Sequence, residues 1–252
     1  VAVGDMTVPA STTLAFNMAT GATLTIFGTI KFAYAKSKGP QVLISGQNVK
    51  VGGNGVIDGG GQQYWANKKD DGTKPDCLWL HDLHNSEVRD ITIKNTPIQA
   101  VSILARYLNI INVKVDNSAG EQFGAQNTDA FDIGRSEHIN IIGGKITTQD
   151  DAVVVNDGKH ISITGVVAQG THGFSISVSR GTVENVTVHD CTVNGGMYGV
   201  RLKTSKFGGA GSVKGVLWQN NRFHDIKVAA VAILQNYYDG RASGTPGNGV
   251  TI

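Results

Sequence analysis

The chain has few cysteine and proline residues and few charged residues of either sign. It has 252 residues, of which two are cysteine, Cys77 and Cys191, and five are proline. Two cysteines cannot form a disulfide scaffold and offer no zinc-ligand spacing, so we expect two separate buried thiols. Charged residues make up 17% of the chain and the net charge is +2. This balance excludes a strongly basic nucleic-acid-binding protein and an acidic solvating tail.

Long apolar runs are also missing. The sequence has no run of about 18 consecutive apolar residues, so we expect no transmembrane helix and no membrane partner. The first residues lack the basic segment and apolar stretch of a signal peptide. Secretion stays open, because a mature secreted chain has lost its leader.

Helical periodicity is nearly absent, whereas glycine is abundant at 33 residues and short stretches alternate between apolar and polar residues. Apolar-x-apolar triplets recur at steps of 22, 26, 22, 25 and 30 residues, beginning at Ile91, Val113, Ile139, Ile161, Val186 and Val216. A second marker recurs at steps of 22 and 21, in 130–133, 152–155 and 173–176. These steps are short for a strand–helix–strand unit of about 30 residues, and the signature of leucine-rich repeats is missing. They predict the coils of an all-β parallel β-helix.

The same pattern predicts one solenoid domain over residues 1–252 without an internal linker. Residues 1–37 read as strands and turns with no capping helix, and 249–252 read as the start of another strand. Because an end coil exposes strand edges, we expect further coils beyond this point.

The residue before each second marker is polar in three successive coils: Asp129, Asp151 and His172. Stacked coils would place these side chains about 4.8 Å apart, with Asp150 beside them. Carboxylates separated by so short a distance cannot all be ionised without a large electrostatic cost, so the pKa of at least one of them should rise. Carboxyl groups with separated pKa values can serve as general acid and general base on one bond. A lone Asp-Asp pair is more often a turn element, but a column of like charges without a function would be costly.

The next coil adds Arg201 and Lys203, which should point outward because Val200 and Leu202 should point inward. Two cations beside carboxylates suit a negatively charged substrate. One coil later, the rings of Tyr237 and Tyr238 could stack on a sugar.

Four blocks at these positions resemble the fungal-type endopolygalacturonases of glycoside hydrolase family 28. In order, they are Asn127-Thr128-Asp129, Gln149-Asp150-Asp151, Thr171-His172-Gly173 and Arg201-Leu202-Lys203. Further stretches, such as Gly55-Val56-Ile57-Asp58-Gly59 and Asn95-Thr96-Pro97-Ile98-Gln99-Ala100, extend the resemblance over nearly the whole chain.

The resemblance implies a right-handed parallel β-helix that hydrolyses α-1,4-linked galacturonan with inversion, in a secreted, extracellular protein. It implies Asp150 as the general acid, Asp129 and Asp151 as the pair that activates water, and His172 as the group that sustains the protonation of the acid. Substrate binding would fall to the four residues Arg201, Lys203, Tyr237 and Asn127. The family's usual cysteine after the Asp-Asp pair and its bonding partner are here Ala152 and Ala168, and Thr171 replaces a glycine and could crowd the cleft.

We therefore expect a monomeric, metal-free and cofactor-free hydrolase of polygalacturonate, whose partner is a pectin oligosaccharide. Three alternatives stay open at this point. The chain could act on a decorated pectin such as xylogalacturonan or rhamnogalacturonan, or it could be a Ca²⁺-dependent pectate lyase. It could also be a carbohydrate-binding β-helix without activity.

Overall fold

The computed structural model describes residues 1–66, 72–238 and 240–252, and in them the chain winds into a right-handed parallel β-helix. Each complete coil contributes to three rows of strands, and the strands of one row lie directly above one another. The pairings are parallel throughout the described part, except for one antiparallel pair near the C-terminus. The predicted fold class is confirmed.

The first row carries the candidate site, and its strands are β3 (Leu14–Asn17), β6 (Val42–Gln47), β9 (Leu78–Arg89), β11 (Val101–Ile111), β13 (Phe131–Ile133), β16 (Val153–Val155), β19 (Phe174–Val178), β22 (Tyr198–Ser205) and β25 (Ala229–Tyr238). The second row holds β1 (Ala2–Val3), β4 (Thr23–Ile26), β7 (Lys50–Gly52), β14 (Ser136–Ile142), β17 (Gly158–Thr164), β20 (Gly181–His189), β23 (Gly211–Gln219) and β27 (Val250–Thr251). The long strands β9 and β11 bend from the first row into the second.

The third row forms a separate sheet of β2 (Met6–Val8), β5 (Thr29–Phe32), β8 (Val56–Asp58), β10 (Thr92–Lys94), β12 (Lys114–Asp116), β15 (Lys145–Thr147), β18 (Val167–Gln169), β21 (Thr192–Asn194) and β24 (Arg222–His224). The antiparallel partner of β25 is β26 (Arg241–Ala242). Strand β27 matches the strand start predicted at 249–252 and pairs with β23.

Inward side chains of the three rows fill the interior of the coils as stacked columns of branched residues. One column of the second row runs through Leu108, Ile139, Ile161 and Val186, which are in register and at most 1% exposed. Each such burial contributes about 1.5–3 kcal/mol relative to an exposed side chain. Ala152 and Ala168 are also fully buried, so small apolar groups fill the sites where the resemblance expects cysteine.

The structure confirms one repeat marker and corrects the other. Phe131, Val153 and Phe174 are direct register partners, as the second marker predicts. The first marker changes rows between Val113 and Ile139, because Val115 pairs with Ile146 in the third row. The partner of Ile139 in the preceding coil is Leu108. Both rows show the same two-residue alternation, so the triplet alone could not tell them apart.

A ring stack runs along one corner of the second row. Tyr107, His138 and His160 each take a left-handed backbone conformation, with φ of 55°, 56° and 56°. Their rings stack at centroid distances of 4.5 and 4.6 Å. The repeated bulge at this position turns one side chain per coil outward, and stacking covers the exposed ring faces. His138 and His160 are therefore structural.

Two short helices precede the candidate site, α1 (Gln62–Trp65) and α2 (Ala119–Phe123). Trp65 is fully buried and its Nε1 donates to the carbonyl of Thr96 at 3.0 Å, while its ring contacts Phe123 at a centroid distance of 6.3 Å. These contacts hold the helices against the coil that leads to Asp129. Neither helix, nor any other in the described residues, has the length and apolar character needed to span a membrane.

We expect the two thiols to be inert in the folded protein. Both cysteines are unpaired and fully buried, and burial raises the pKa of both thiols, that of Cys191 to about 11. Since the thiolate is the reactive form, iodoacetamide at neutral pH should label neither cysteine before unfolding, as read by mass spectrometry. Labelling of both in guanidinium is the control. A fall in Tm on adding reductant would instead reveal a disulfide.

Candidate active site

The predicted polar column lies where the chain enters the first row. The backbone N–H of Ala130 donates to the carbonyl of Asp151, and the N–H of Ala152 donates to the carbonyl of Gly173, both at 2.9 Å. This ladder places Asp129, Asp151 and His172 on consecutive coils, as their spacing predicts. Asp150 lies one residue before Asp151, and the structure brings all four side chains to one patch at the edge of the first row.

Buried hydroxyl and amide groups brace the turns that carry the carboxylates. Thr148 donates its hydroxyl to the backbone carbonyl of Thr128 in the preceding coil. The hydroxyl of Thr128 donates to Oε1 of Gln149 at 3.0 Å, and Nε2 of Gln149 donates to the carbonyl of Asn117 at 2.8 Å. These bonds link two successive turns, the one that leads to Asp129 and the one that leads to Asp150. They fix the directions in which both carboxylates leave the backbone.

Asp151 is the anchor of the patch. Its side chain is 0% exposed, and both of its oxygens are bound. Oδ1 accepts from Nη2 of Arg201 at 2.7 Å and from the hydroxyl of Ser175 at 2.6 Å, while Oδ2 accepts from Nζ of Lys203 at 2.9 Å. A buried carboxylate is tolerated only with such compensation. Asp151 therefore holds two cations in fixed positions on the outer face of β22.

Arg201 and Lys203 point away from the interior of the coil, as predicted, yet they are only 2% and 8% exposed. Burial is the largest single cause and lowers the pKa of each, but Asp151 and Tyr237 together more than offset it, so both pKa values lie above their usual range. The Arg201 guanidinium lies 4.8 Å from the ring centroid of Tyr198, and Nζ of Lys203 lies 5.1 Å from that of Tyr237. Both cations remain charged inside a cage of aromatic rings.

Asp150 pairs with His172 and is more accessible than Asp151. Nδ1 of His172 lies 2.8 Å from Oδ1 of Asp150, and the two side chains are 25% and 17% exposed. Burial raises the pKa of Asp150, but the His172 hydrogen bond, the His172 charge and the nearby Lys203 and Arg201 together bring it below its usual value. The contact with His172 therefore stabilises the ionised form of Asp150.

The turn at His172 depends on the glycine that follows it. Gly173 has φ of 82°, and a Cβ there would lie 2.4 Å from the carbonyl oxygen of Gly199. Thr171 does not crowd the cleft, contrary to the expectation from sequence. Its side chain is 0% exposed, and its hydroxyl accepts the N–H of Gly173 at 2.9 Å.

Two carboxyl groups in the patch hold their protons tightly. Burial, followed by the charges of Asp132, Asp150 and Asp151, raises the pKa of Asp129 well above its usual value. Burial and the charges of neighbouring carboxylates raise the pKa of Asp132 in the same way. The pKa values in the patch are therefore separated, with Asp129 and Asp132 raised and Asp150 lowered. Close carboxylates in a poorly solvated site produce this separation.

Asp132 and Ser175 also belong to the patch, although the sequence analysis did not single them out as site residues. Asp132 lies between the core residues Phe131 and Ile133, so its outward direction could have been read from two-residue alternation. Its Oδ2 is buried without a hydrogen-bond partner in the described part of the chain, and its Oδ1 receives a long bond from Gln99 at 3.5 Å. Ser175 is the register partner of Arg201.

The two remaining predicted binding residues lie at opposite margins of the patch. Asn127 is exposed and adopts a left-handed conformation with φ of 53°, two residues before Asp129. The ring of Tyr237 covers Lys203 and lies 5.8 Å from the Arg201 guanidinium carbon. Tyr238, next to it, is 52% exposed and packs edge-to-face on Phe207.

Two groups of side chains in the described residues come close enough to hold a metal ion. In the group of Asp150, Asp151 and His172, both oxygens of Asp151 are bound to cations, which repel a further cation. In the group of Glu137, His138 and His160, the imidazole rings stack at an interplanar angle of 13°. The in-plane lone pairs of stacked rings run side by side, so they do not converge on one ion.

Removing one cation from Asp151 should destabilise the fold. Lys203→Met keeps the length of the side chain but leaves the buried Asp151 carboxylate with Arg201 alone, so the free energy of unfolding should fall by about 3 kcal/mol. The double variant Lys203→Met/Asp151→Asn should recover part of this loss. Urea denaturation measures both, with Lys214→Met on the exposed surface as a control expected to change by less than about 0.5 kcal/mol. Additive effects of the two changes would disprove the coupling.

Because the pKa of Asp129 is raised in the folded chain, ionisation of this side chain should lower the free energy of unfolding. The folded chain binds this proton more tightly than the unfolded chain, so ionisation of Asp129 destabilises the parent as the pH rises through and above the ordinary carboxyl range. The Tm of Asp129→Asn relative to the parent should therefore increase between about pH 4 and about pH 7.

Asp90→Asn is a matched control of opposite sign, because hydrogen bonds from Arg89 and Asn112 lower the pKa of Asp90. The Tm of this variant should fall relative to the parent as the pH rises to about 4, where the parent carboxylate ionises, and should then stay level relative to the parent up to about pH 7. Parallel Tm curves for the parent and Asp129→Asn would contradict the raised pKa.

Comparison with known proteins identifies the family. The family model described as glycosyl hydrolases family 28 matches residues 1–252. The chain is 39% identical over 261 residues to endopolygalacturonase A of Aspergillus niger and 40% identical over 262 residues to a polygalacturonase of Cochliobolus carbonum. The alignments cover 100% of this chain and 70% and 72% of those proteins. Endopolygalacturonase I of Stereum purpureum, solved with two galacturonates, superposes with a TM-score of 0.92 at 33% identity, over 99% of this chain and 76% of that one. The chain belongs to glycoside hydrolase family 28.

Proposed function

We propose that the protein hydrolyses α-1,4-galacturonosidic bonds of polygalacturonate by an inverting acid–base mechanism. The observation that carries this proposal is the patch in which Asp129 and Asp150 lie near a fixed pair of cations, Arg201 and Lys203, anchored by Asp151. Family membership and the galacturonates bound to the Stereum purpureum relative support the same substrate.

Asp150 serves as the general acid. It is the more accessible member of the Asp-Asp pair, and His172 at 2.8 Å can exchange a proton with it. The neighbouring His172, Lys203 and Arg201 lower its pKa despite burial, which favours the ionised form. A bound galacturonate carboxylate adds negative charge beside it and excludes water, and both effects raise the pKa of a carboxyl group. Substrate binding thus brings Asp150 toward the protonated state that an acid needs.

Asp129 and Asp151 hold the attacking water, and they divide this work. The oxygens of Asp151 are occupied by Arg201, Ser175 and Lys203, so Asp151 contributes charge and position. Asp129 accepts a proton from water only in its ionised form, and its raised pKa makes that form a stronger base than an ordinary carboxylate. Inversion requires the acid and the water-activating group to lie about 6.5–9.5 Å apart on opposite faces of the scissile bond.

Arg201 and Lys203 provide recognition of the charged sugar. Asp151 uses one face of each cation, and their remaining N–H groups can reach a galacturonate carboxylate at the surface. Tyr237 closes the same side of the site, and Asn127 lies at its other margin. The aromatic cage limits the motion of both cations, so little conformational entropy is lost on binding.

The proposal also covers the location, oligomeric state and cofactor requirement of the protein. We propose a secreted, extracellular protein that acts as a monomer on pectin and needs no metal or cofactor. A decorated pectin is the second candidate substrate. A fixed pair of cations favours the unsubstituted charged sugar over it.

The test is release of reducing ends from polygalacturonate at about pH 5, where a carboxyl group with a moderately raised pKa is still protonated. The parent should be active in EDTA, and Asp150→Asn should reduce kcat by at least about 100-fold because it removes the acid. Asp190→Asn, which changes an exposed aspartate in the bend directly after β20, is the matched control and should retain full activity.

Loss of activity in EDTA, together with absorbance from an unsaturated product, would identify a lyase. Normal turnover by Asp150→Asn would remove Asp150 as the acid. Binding of oligogalacturonides without cleavage by the parent would identify a carbohydrate-binding β-helix.

A further inference from the structure

The polar columns of the catalytic patch end in apolar side chains on the coil that follows Arg201 and Lys203. Strand β25 stacks on β22, and its register places Ala232 beside Arg201 and Leu234 beside Lys203. Since both cations point outward, Ala232 and Leu234 point outward as well. The outer face of the first row thus changes from cationic to apolar within one coil.

The turn that leads into the first row changes in the same way. The strand register gives equivalent positions on four successive coils to Asp150, Thr171, Met197 and Val228. The N–H of Met197 donates to the carbonyl of Thr171 at 2.8 Å, and the N–H of Val228 donates to the carbonyl of Met197 at 3.0 Å. Met197 and Val228 are 38% and 55% exposed. With the two residues of β25 they form one apolar surface, defined by Met197, Val228, Ala232 and Leu234.

The described cations that flank this apolar surface in sequence lie at its margins. Lys227 lines a groove at the corner with the third row. Nζ of Lys206 lies 5.5 Å from the ring centroid of Phe207. Arg241 is the register partner of Tyr238, beyond the ring of Tyr237. The described residues therefore provide a fixed cation pair on one coil and an apolar surface on the next.

A galacturonate carboxylate above the apolar surface would lose water without gaining a fixed counterion. Removing an unpaired carboxylate from water is strongly unfavourable, whereas burying an ester methyl group is favourable. Methyl esterification also removes the charge of the carboxyl group. The apolar surface therefore discriminates in favour of a sugar whose carboxyl group is esterified.

We propose that the apolar surface binds a methyl-esterified galacturonate unit, next to a free galacturonate unit held by Arg201 and Lys203. This inference rests on the proposed hydrolysis of polygalacturonate and narrows the substrate to a partly esterified chain. One unit is recognised by its charge and its neighbour by apolar contact. Because the surface continues directly from the cation pair, its occupant is a unit of the same sugar chain.

The experiment adds a positive charge to the apolar surface and compares polygalacturonate with low-ester pectin at one ionic strength. Leu234→Lys gives a free carboxylate a counterion and removes apolar contact from an ester. The ratio of kcat/KM on low-ester pectin to kcat/KM on polygalacturonate should therefore fall about fivefold below that of the parent. Val228→Lys, at a position that is 55% exposed, should lower this ratio about twofold without a risk to folding.

Val167→Lys is the matched control, because it adds the same charge at an exposed apolar position of β18 in the third row. This variant should keep the ratio of the parent. The proposal is overturned if both lysine variants of the apolar surface keep that ratio, or if Val167→Lys lowers it equally.

A binding measurement separates this inference from the proposed activity. In an Asp150→Asn background, calorimetry compares hexagalacturonate with its partly methyl-esterified form. Adding Leu234→Lys should weaken binding of the esterified form about fivefold relative to the free acid. If the parent cleaves neither polymer, the proposed hydrolysis fails, while the calorimetry still decides the role of the apolar surface. An unchanged relative affinity overturns that role whatever the activity of the parent.

Discussion

The strict vertical register of the parallel coils is the constraint on which the rest of the molecule depends. Each residue of the first row lies about 4.8 Å from its equivalent in the next coil, so residues some twenty positions apart in sequence become neighbours. This register places Ser175 beside Arg201 and lets both reach Asp151. A slip of one residue in any coil would turn these side chains into the apolar interior.

The carboxyl groups of the charged patch differ in how the free-energy cost of their burial is offset. Asp151 has lost contact with water but binds two cations and a hydroxyl group, so it acts as a structural anion. Asp129 and Asp132 have no such cation or hydroxyl partners among the described residues, and burial among carboxylates raises their pKa values. Asp150 lies between these extremes through its contact with His172. Asp129, Asp132 and Asp150 thus acquire different proton affinities, which is the condition for acid–base chemistry on one bond.

The cations of the patch are rigid as well as buried. Arg201 and Lys203 are 2% and 8% exposed and lie against the rings of Tyr198 and Tyr237. Such a pair orients a charged group more strongly than exposed side chains would, because neither cation has to be ordered on binding.

Sequence reasoning succeeded where direction and spacing were enough. Two-residue alternation predicted that Arg201 and Lys203 face outward, and the coil period predicted the column of Asp129, Asp151 and His172. It was wrong about the step between Val113 and Ile139, because two rows share the same alternation and the turn lengths between them vary. It also misjudged Thr171, whose hydroxyl turns inward to the N–H of Gly173. The patch residues Asp132 and Ser175 were hidden among strand residues that carry no motif.

The sequence by itself determined the β-helix and the catalytic candidates, because alternation and period are local properties of the chain. Only the tertiary structure decided which carboxylate is an anchor, which one holds its proton and which one pairs with histidine. Those properties depend on burial and on distances between coils. Lys203 reaches Asp151 across 52 positions of sequence, and their separation of 2.9 Å exists only once the coils are stacked.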